Sequence, residues 1–390
     1  RGRAIGTWSG FSGITAAIGP LLGGWLVNHS WRWAFFINAP LAVVVLLLLA
    51  KVPESRSPRP QGLDAIGAVL VTIGLGGLVY GLIESSQRGW GEASVITALA
   101  CGCGGLAAFV FREARTSSPM LPLRLFRSAD FTGTNALTLF LYGALACAFF
   151  FLPLDLIQVQ GYSPLQAGAA LLPFIVILFL LSRWSGGLVE RYGPRKPLLI
   201  GPAVAALGFV LLGLPGIGGS YWRTFFPGVL VLGLGMAASI APLTTAVMNA
   251  VGSESSGIAS GVNNAVSRAA GLLSIALLGI LITSVFDREL DRRVAALPLD
   301  PGVRHQVVSE RGKLAAAEPP RGLSEEQAHA VRVAIGASFV EAFRAVCRAC
   351  CVLALLAAAC AWVWIGRGEA LKRASGETNR LPTISRSSVS

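Results

Sequence analysis

Asp155 interrupts the apolar run Phe149-Phe150-Phe151-Leu152-Pro153-Leu154, near one end of a long hydrophobic segment. A carboxylate in that setting can take up a proton or attract a cationic substrate; it can equally be a water-facing acid at a helix end. Glu84 closes another apolar run and reads as a boundary marker. Gly186-Gly187-Leu188-Val189-Glu190-Arg191-Tyr192-Gly193-Pro194-Arg195-Lys196 places an acid among three bases in a short polar turn. Such a cluster forms a breakable latch worth a few kcal/mol at most, because both partners lie near water. Asn263, Asn264 and Arg268 follow the small-residue run Gly257-Ile258-Ala259-Ser260-Gly261. Phe140, Tyr142, Phe149 and Phe150 on one segment, with Phe174 and Phe179 on the next, supply aromatic walls suited to lipophilic cations.

Other chemistries lack their residues. No Gly-x4-Gly-Lys-Ser/Thr phosphate loop occurs, so the chain shows no ATPase of its own. The three histidines, His29, His305 and His329, fall in segments between apolar runs, and no Ser-His-Asp set assembles around them. Cys347-x-x-Cys350-Cys351 opens an apolar run without a nearby histidine and reads as small-residue packing, not as a zinc knuckle. The reading therefore calls for no enzyme, no metal and no cofactor.

The elements that must position these groups are membrane spans. Of 390 residues, 54% are hydrophobic and 13% charged, and mean hydropathy is +0.65; soluble domains carry about 25% charged residues. Runs at 5–27, 33–50, 64–83, 93–111, 134–156, 164–184, 197–215, 224–248, 257–286 and 340–366 are each long enough for a transmembrane helix, and none alternates as a barrel strand does. The expected fold is thus an all-α integral membrane bundle with ten spans.

A formal charge of +12 invites a nucleic-acid reading, but the cations sit in short loops and the tail. With a cytoplasmic N-terminus, eighteen Lys and Arg fall in the inner loops and tail; the short outer loops hold Arg32, Arg88 and Arg223. That asymmetry fits the positive-inside rule, places both ends of the chain in the cytoplasm and leaves nucleic acid out. Segment 287–338 balances eight bases with eight acids and is placed outside. Its Ser324-x-x-Gln327 pattern starts a short amphipathic stretch to about Ile335. In this reading Arg268 sits at the inner interface, below eighteen uncharged positions, 269–286.

Gly6, Thr15, Gly19-Pro20 and Gly23-Gly24, the run from Trp31 to Pro40, and the stretches 186–196 and 257–271 together resemble the Major Facilitator Superfamily, in particular its 14-helix drug:proton antiporter branch. Gly6, Thr15, Gly19-Pro20 and Gly23-Gly24 are similar to the antiporter motif of the fifth helix, with Thr15 where glycine is usual. Trp31-Arg32-Trp33-Ala34-Phe35-Phe36-Ile37-Asn38-Ala39-Pro40 resembles the turn that follows it. Residues 186–196 look like the superfamily's cytoplasmic signature, with Glu190 replacing the commoner Asp and Pro194 a position often basic. Residues 257–271 resemble the start of the thirteenth helix. Asp155 is not part of the family pattern, where an uncharged residue is usual.

The resemblance implies that residues 1–62 hold the last two helices of an N-terminal bundle and 63–112 two extra helices. Residues 113–133 would be a cytoplasmic linker, 134–366 a six-helix bundle with outer loop 287–338, and 367–390 a disordered tail. Helices one to four, which carry the embedded acid tied to proton coupling, would lie upstream. The implied function is alternating-access export of lipophilic small molecules across the inner membrane in exchange for protons, with the substrate, protons and bilayer as partners. Nutrient uptake and a non-transporting fragment are the alternatives.

Overall fold

The computed structural model describes residues 19, 22–27, 29–51, 64–251 and 255–366, with backbone alone at 86–87, 182–183 and 190. Most of the expected span 5–27, with Gly6, Thr15 and Pro20, therefore lies outside the described residues, as do 52–63 and the tail. The described residues are mostly helical and contain no strand.

Among the described residues, eight helices are long and apolar enough to cross a membrane, and Trp33–Leu49 (α1) forms a shorter apolar one. Ala65–Arg88 (α2) and Ala93–Arg115 (α3) make an antiparallel hairpin. Glycines bring their backbones together: a Cβ built at Gly102 would lie 2.6 Å from the Leu78 nitrogen. In lipid, where apolar surface gains little by leaving the solvent, such close backbone approach is a main source of helix association. Asp64 caps α2 by accepting the Gly67 N–H at 2.9 Å, and Arg112 of α3 pairs with the same carboxylate at 3.2 Å. The Gly67 hydrogen bond, aided by Arg112, lowers the Asp64 pKa against the opposing effect of burial.

After a 3-10 turn, Leu123–Arg127, six helices build one bundle: Ala129–Leu154 (α4), Leu172–Tyr192 (α6), Arg195–Leu212 (α7), Phe225–Asn249 (α8), Ser256–Ala295 (α9) and Glu325–Trp364 (α11). The short helix Pro164–Ala169 (α5) precedes α6, and Pro301–Ser309 (α10) lies between α9 and α11. Helix α11 packs on α4, α7 and α9; α8 joins α7 to α6; and α2 of the hairpin rests on α9. The core carries Phe131, Phe209, Phe286 and Phe339, all fully buried. Helices α7 and α8 meet through glycine, since a Cβ at Gly208 would stand 2.6 Å from the Leu232 nitrogen.

The polar segment between the last two spans departs from the sequence reading. Helix α9 continues to Ala295 and α11 begins at Glu325, so much of 287–338 is helical. The Ser324/Gln327 capping box forms as read, but it opens the 40-residue helix α11 instead of a separate short one. Leu290 and Val294, one turn apart on α9, are buried, as are Val331 and Ile335 on α11. These pairs continue the apolar stripe past the spans, while Glu289, Arg292 and Arg293 keep the opposite face polar. Helix α10 and the 3-10 turn Arg311–Ala316 fold over this end as a cap. Arg304 donates to the Leu297 carbonyl at 2.9 Å, and Lys313 pairs with Glu310.

Candidate functional site

Three sets of polar side chains stand out, two at the ends of the bundle and one within it. The near end gathers the α6–α7 turn, the start of α4 and the end of α11. Gly193 adopts φ +71°, which a glycine takes without steric penalty and which lets the chain reverse between α6 and α7. The first base after it, Arg195, donates to the Trp362 carbonyl at 2.9 Å and lies 4.7 Å above the Trp362 ring. Arg191 covers the Tyr192 ring at 5.3 Å. Asp130, in the first turn of α4, accepts the Gly366 N–H at 2.7 Å. The motif's arginine thus ties the α6–α7 turn to the end of α11, a contact the sequence reading did not foresee. The Glu190 side chain of the expected latch is outside the described residues. In the antiporter-motif segment a Cβ at Gly24 would fall 2.8 Å from the Pro164 carbonyl, a close approach to α5; Gly19 and Gly23 have open space there.

Within the bundle, Asn263 of α9 reaches α4. Its amide donates to the Thr138 hydroxyl at 2.6 Å and to Asn135 Oδ1 at 3.2 Å. Asn135 and Thr138 are buried, and each also donates within its own helix, to the carbonyls of Phe131 and Thr134. Asn135 and Thr138 were missed in the sequence. Their signal was a pair of polar residues three apart in an apolar helix, which places both on one face. Asn264 and Arg268 instead face outward from α9 and are exposed. Replacing Asn263 with alanine should cost about 0.6–1.7 kcal/mol, the range of interhelical hydrogen bonds in membranes. A double-mutant cycle with Thr138→Val checks this: coupling near zero would mean that the contact carries no energy.

The far end holds Asp155. Pro153 removes one helical N–H donor from the last turn of α4, and the chain widens into a π-turn over Asp155–Val159, closed by Gln160 N–H to the Asp155 carbonyl at 3.0 Å. This turn packs against α4, α5, α11 and the cap's Arg311–Ala316 turn, which buries Asp155 to 1% exposure. The expectation of a water-facing acid at a helix end therefore does not hold. Gln160 Nε2 donates to Asp155 Oδ2 at 3.2 Å and to the Gly216 carbonyl at 3.1 Å, while Gln160 Oε1 accepts from the Gly218 N–H at 2.8 Å. Asp155 Oδ1 has no partner among the described residues. Arg344 holds the same α7–α8 loop through the carbonyls of Leu214 and Pro215 and pairs with Glu341. A cleft of about 280 Å³ lies beside it, lined by Gly216, Ile217, Arg293, Val340, Glu341 and Arg344. Across the loop, the Tyr221 hydroxyl donates to the Ala170 carbonyl at 2.6 Å; burial, with a smaller effect of Tyr162, pushes its pKa up to about 12. It therefore stays a neutral donor throughout the physiological range.

Phe140, Tyr142 and Phe149 of α4 are half-buried, and Phe149 meets the buried Phe174 edge-on with ring centres 4.8 Å apart. Phe150 is about half exposed. Glu84 pairs with Arg88 one turn along α2, at 2.6 Å. The described residues bring no three His, Cys, Asp or Glu side chains together as a metal site.

Residues 1–275 match the family model described as Major Facilitator Superfamily. The chain is 34% identical over 78% of its length to the multidrug resistance protein Stp of Mycobacterium tuberculosis, of which 57% is covered. It is 31% identical over 92% of its length to the tetracenomycin C resistance and export protein of Streptomyces glaucescens, covering 67% of that protein. With the cephamycin export protein CmcT of Amycolatopsis lactamdurans it shares 34% identity over 71% of its length and 58% of the relative's. The chain thus spans somewhat more than half the length of these relatives. The helical bundle, the glycine turn of the α6–α7 signature and these matches lead to one conclusion: the chain belongs to the Major Facilitator Superfamily.

Proposed function

We propose that this chain forms the larger part of an inner-membrane exporter that expels lipophilic small molecules in exchange for protons. The observation that carries the reading is Asp155, a buried carboxylate with one oxygen unpartnered among the described residues, set where the bundle meets its cap. Buried acids in membrane segments mark ion and proton paths more often than structural supports. The export direction and the substrate class are supported by three relatives whose names describe drug resistance or antibiotic export.

In this reading Asp155 exchanges a proton when the π-turn, the α7–α8 loop and the cap separate. Gln160 then acts as the link, because one amide joins the carboxylate to Gly216 and Gly218. Phe140, Tyr142 and Phe149 would line the path for an apolar or cationic substrate. Asn263 would hold α9 to α4 in one conformation, and Asn264 and Arg268 would face the opposing half of the transporter. Arg191, Gly193 and Arg195, with Glu190, would close the cytoplasmic side. Both ends of the chain would lie in the cytoplasm, a placement that the loop charges support.

Everted vesicles carrying an acid interior, monitored with a pH-sensitive dye, test the exchange. Adding a transported cation should release part of the proton gradient, and Asp155→Asn should abolish that release. A gradient indifferent to every lipophilic cation or drug supplied would sink the proposal.

A further inference from the structure

A second cavity, of about 510 Å³, lies at the near end where the hairpin passes into the bundle. Its walls include Glu113 and Thr116 at the end of α3, Ser117, Arg124 and Arg127 of the connecting segment, and Ile258 at the start of α9. We infer that this cavity binds the phosphate group of a membrane phospholipid, held between Arg124 and Arg127.

The local geometry supplies a clamp. Arg124 and Arg127 belong to the 3-10 turn Leu123–Arg127. With three residues per turn, side chains at i and i+3 eclipse, so both guanidinium groups leave the turn on the same side. Both line the cavity, and neither makes a hydrogen bond, ion pair or ring contact among the described residues. Neighbouring arginines find partners: Arg112 pairs with Asp64, and Arg115 stacks 4.0 Å above Phe111. Two unpaired guanidinium groups converging on one cavity suit a phosphate diester, which accepts forked N–H donors on two oxygens. Thr116 and Ser117, which also line the cavity, add hydroxyl donors.

The acid in the cavity does not oppose this. Glu113 is 3% exposed, and its Oε2 accepts the Leu121 N–H at 2.9 Å. Its Oε1 has no hydrogen-bond partner among the described residues; the acid braces the segment that carries the two arginines through Oε2, as a positioning residue, and its single negative charge is outnumbered by the two guanidinium groups. Among the described residues no other acid lines the cavity.

Location selects a lipid over free phosphate. The cavity sits where the apolar spans of α3, α4 and α9 start or end, which is the level of headgroups in a bilayer. Ile258, Leu123, Pro119 and Pro122 line it and supply an apolar edge for the glycerol and upper acyl carbons. A lipid held here would fix the segment that joins the hairpin to the six-helix bundle.

The test uses the purified chain in detergent and measures binding by thermal shift. The probes are dioctanoyl phosphatidylglycerol, dioctanoylglycerol without a phosphate, and inorganic phosphate. Phosphatidylglycerol should raise the melting midpoint in a saturable way, and dioctanoylglycerol should not. Arg124→Gln and Arg127→Gln should each weaken the effect about tenfold, as expected for a lost charge-assisted contact. A control pair at exposed far-end positions, Arg223→Gln and Arg321→Gln, should leave it unchanged. An equal response to dioctanoylglycerol, or unchanged affinity in both cavity variants, overturns the phosphate clamp. Saturation by inorganic phosphate at equal concentration overturns the lipid assignment. None of these outcomes depends on transport.

Discussion

Asp155→Leu should raise the unfolding midpoint of the protein by several degrees while reducing export at least tenfold. The two effects have one cause. Asp155 is buried among helices α4, α5 and α11 and the cap, yet among the described residues receives a single side-chain hydrogen bond, at 3.2 Å. Withdrawing a polar group from water without full compensation is costly. Apolar replacements of buried charged groups are often neutral or stabilising, by about 1–4 kcal/mol. Leucine matches the carboxylate in size and removes that cost, as it removes the group proposed to exchange the proton. A stability gain joined to a loss of activity is the pattern of a residue kept for function. Asp155→Asn separates charge from shape: it retains the Gln160 contact and should abolish the pH dependence of export. Melting curves of the detergent-purified variants, beside efflux assays, decide the matter. A midpoint that falls with Asp155→Leu, with export intact, would make the residue structural.

The second large effect is steric. Gly208→Leu should prevent stable assembly of the bundle, costing about 3 kcal/mol or more. A Cβ at this site would lie 2.6–2.8 Å from the Leu232 backbone and its Cβ. No rotamer change relieves that overlap, because the nearest atoms are main chain. Helices α7 and α8 must therefore move apart, and the loss spreads to α11 and α6, which pack on them. The check is the yield of monodisperse protein after detergent extraction. Gly208→Ala should show a smaller loss of the same kind, and Gly216→Ala, where the added carbon meets open space, little change. Wild-type yield of the leucine variant would show that the α7–α8 contact is looser than described.

The bundle was legible because a membrane span announces itself by length and apolarity alone. The six long helices from Ala129 onward each overlap a run identified in the sequence. Their ends were less legible. At 287–295 the chain carries Asp287, Arg288, Glu289, Asp291, Arg292 and Arg293, so hydropathy drops and the segment reads as a loop. The helix continues because Phe286, Leu290 and Val294 keep an i, i+4 stripe that packs away from those charges. That periodicity was present in the sequence but masked by the average. The same holds for Ser324, whose capping box was recognised but whose helix was read as short.

The site was legible in part. Asp155 stood out as an acid in an apolar run, yet its burial depends on the cap, whose folding over the bundle end no local pattern encodes. Gln160 gave no signal, since its role arises from contact with Gly216 and Gly218, more than fifty residues away. Asn263 was singled out, but its partners Asn135 and Thr138 were not, because pairing α9 with α4 is a tertiary fact. Arg195 belonged to a recognised motif, whereas its Trp362 partner lies 167 positions along the chain.

The most direct measurement is efflux of a fluorescent lipophilic cation from energised cells. It would compare this chain with a form extended to the full length of its relatives, each with and without a protonophore. Proton-driven export predicts efflux from the extended form that stops when the protonophore collapses the gradient. Absence of efflux from both well-inserted forms, or efflux that persists after collapse, would contradict it.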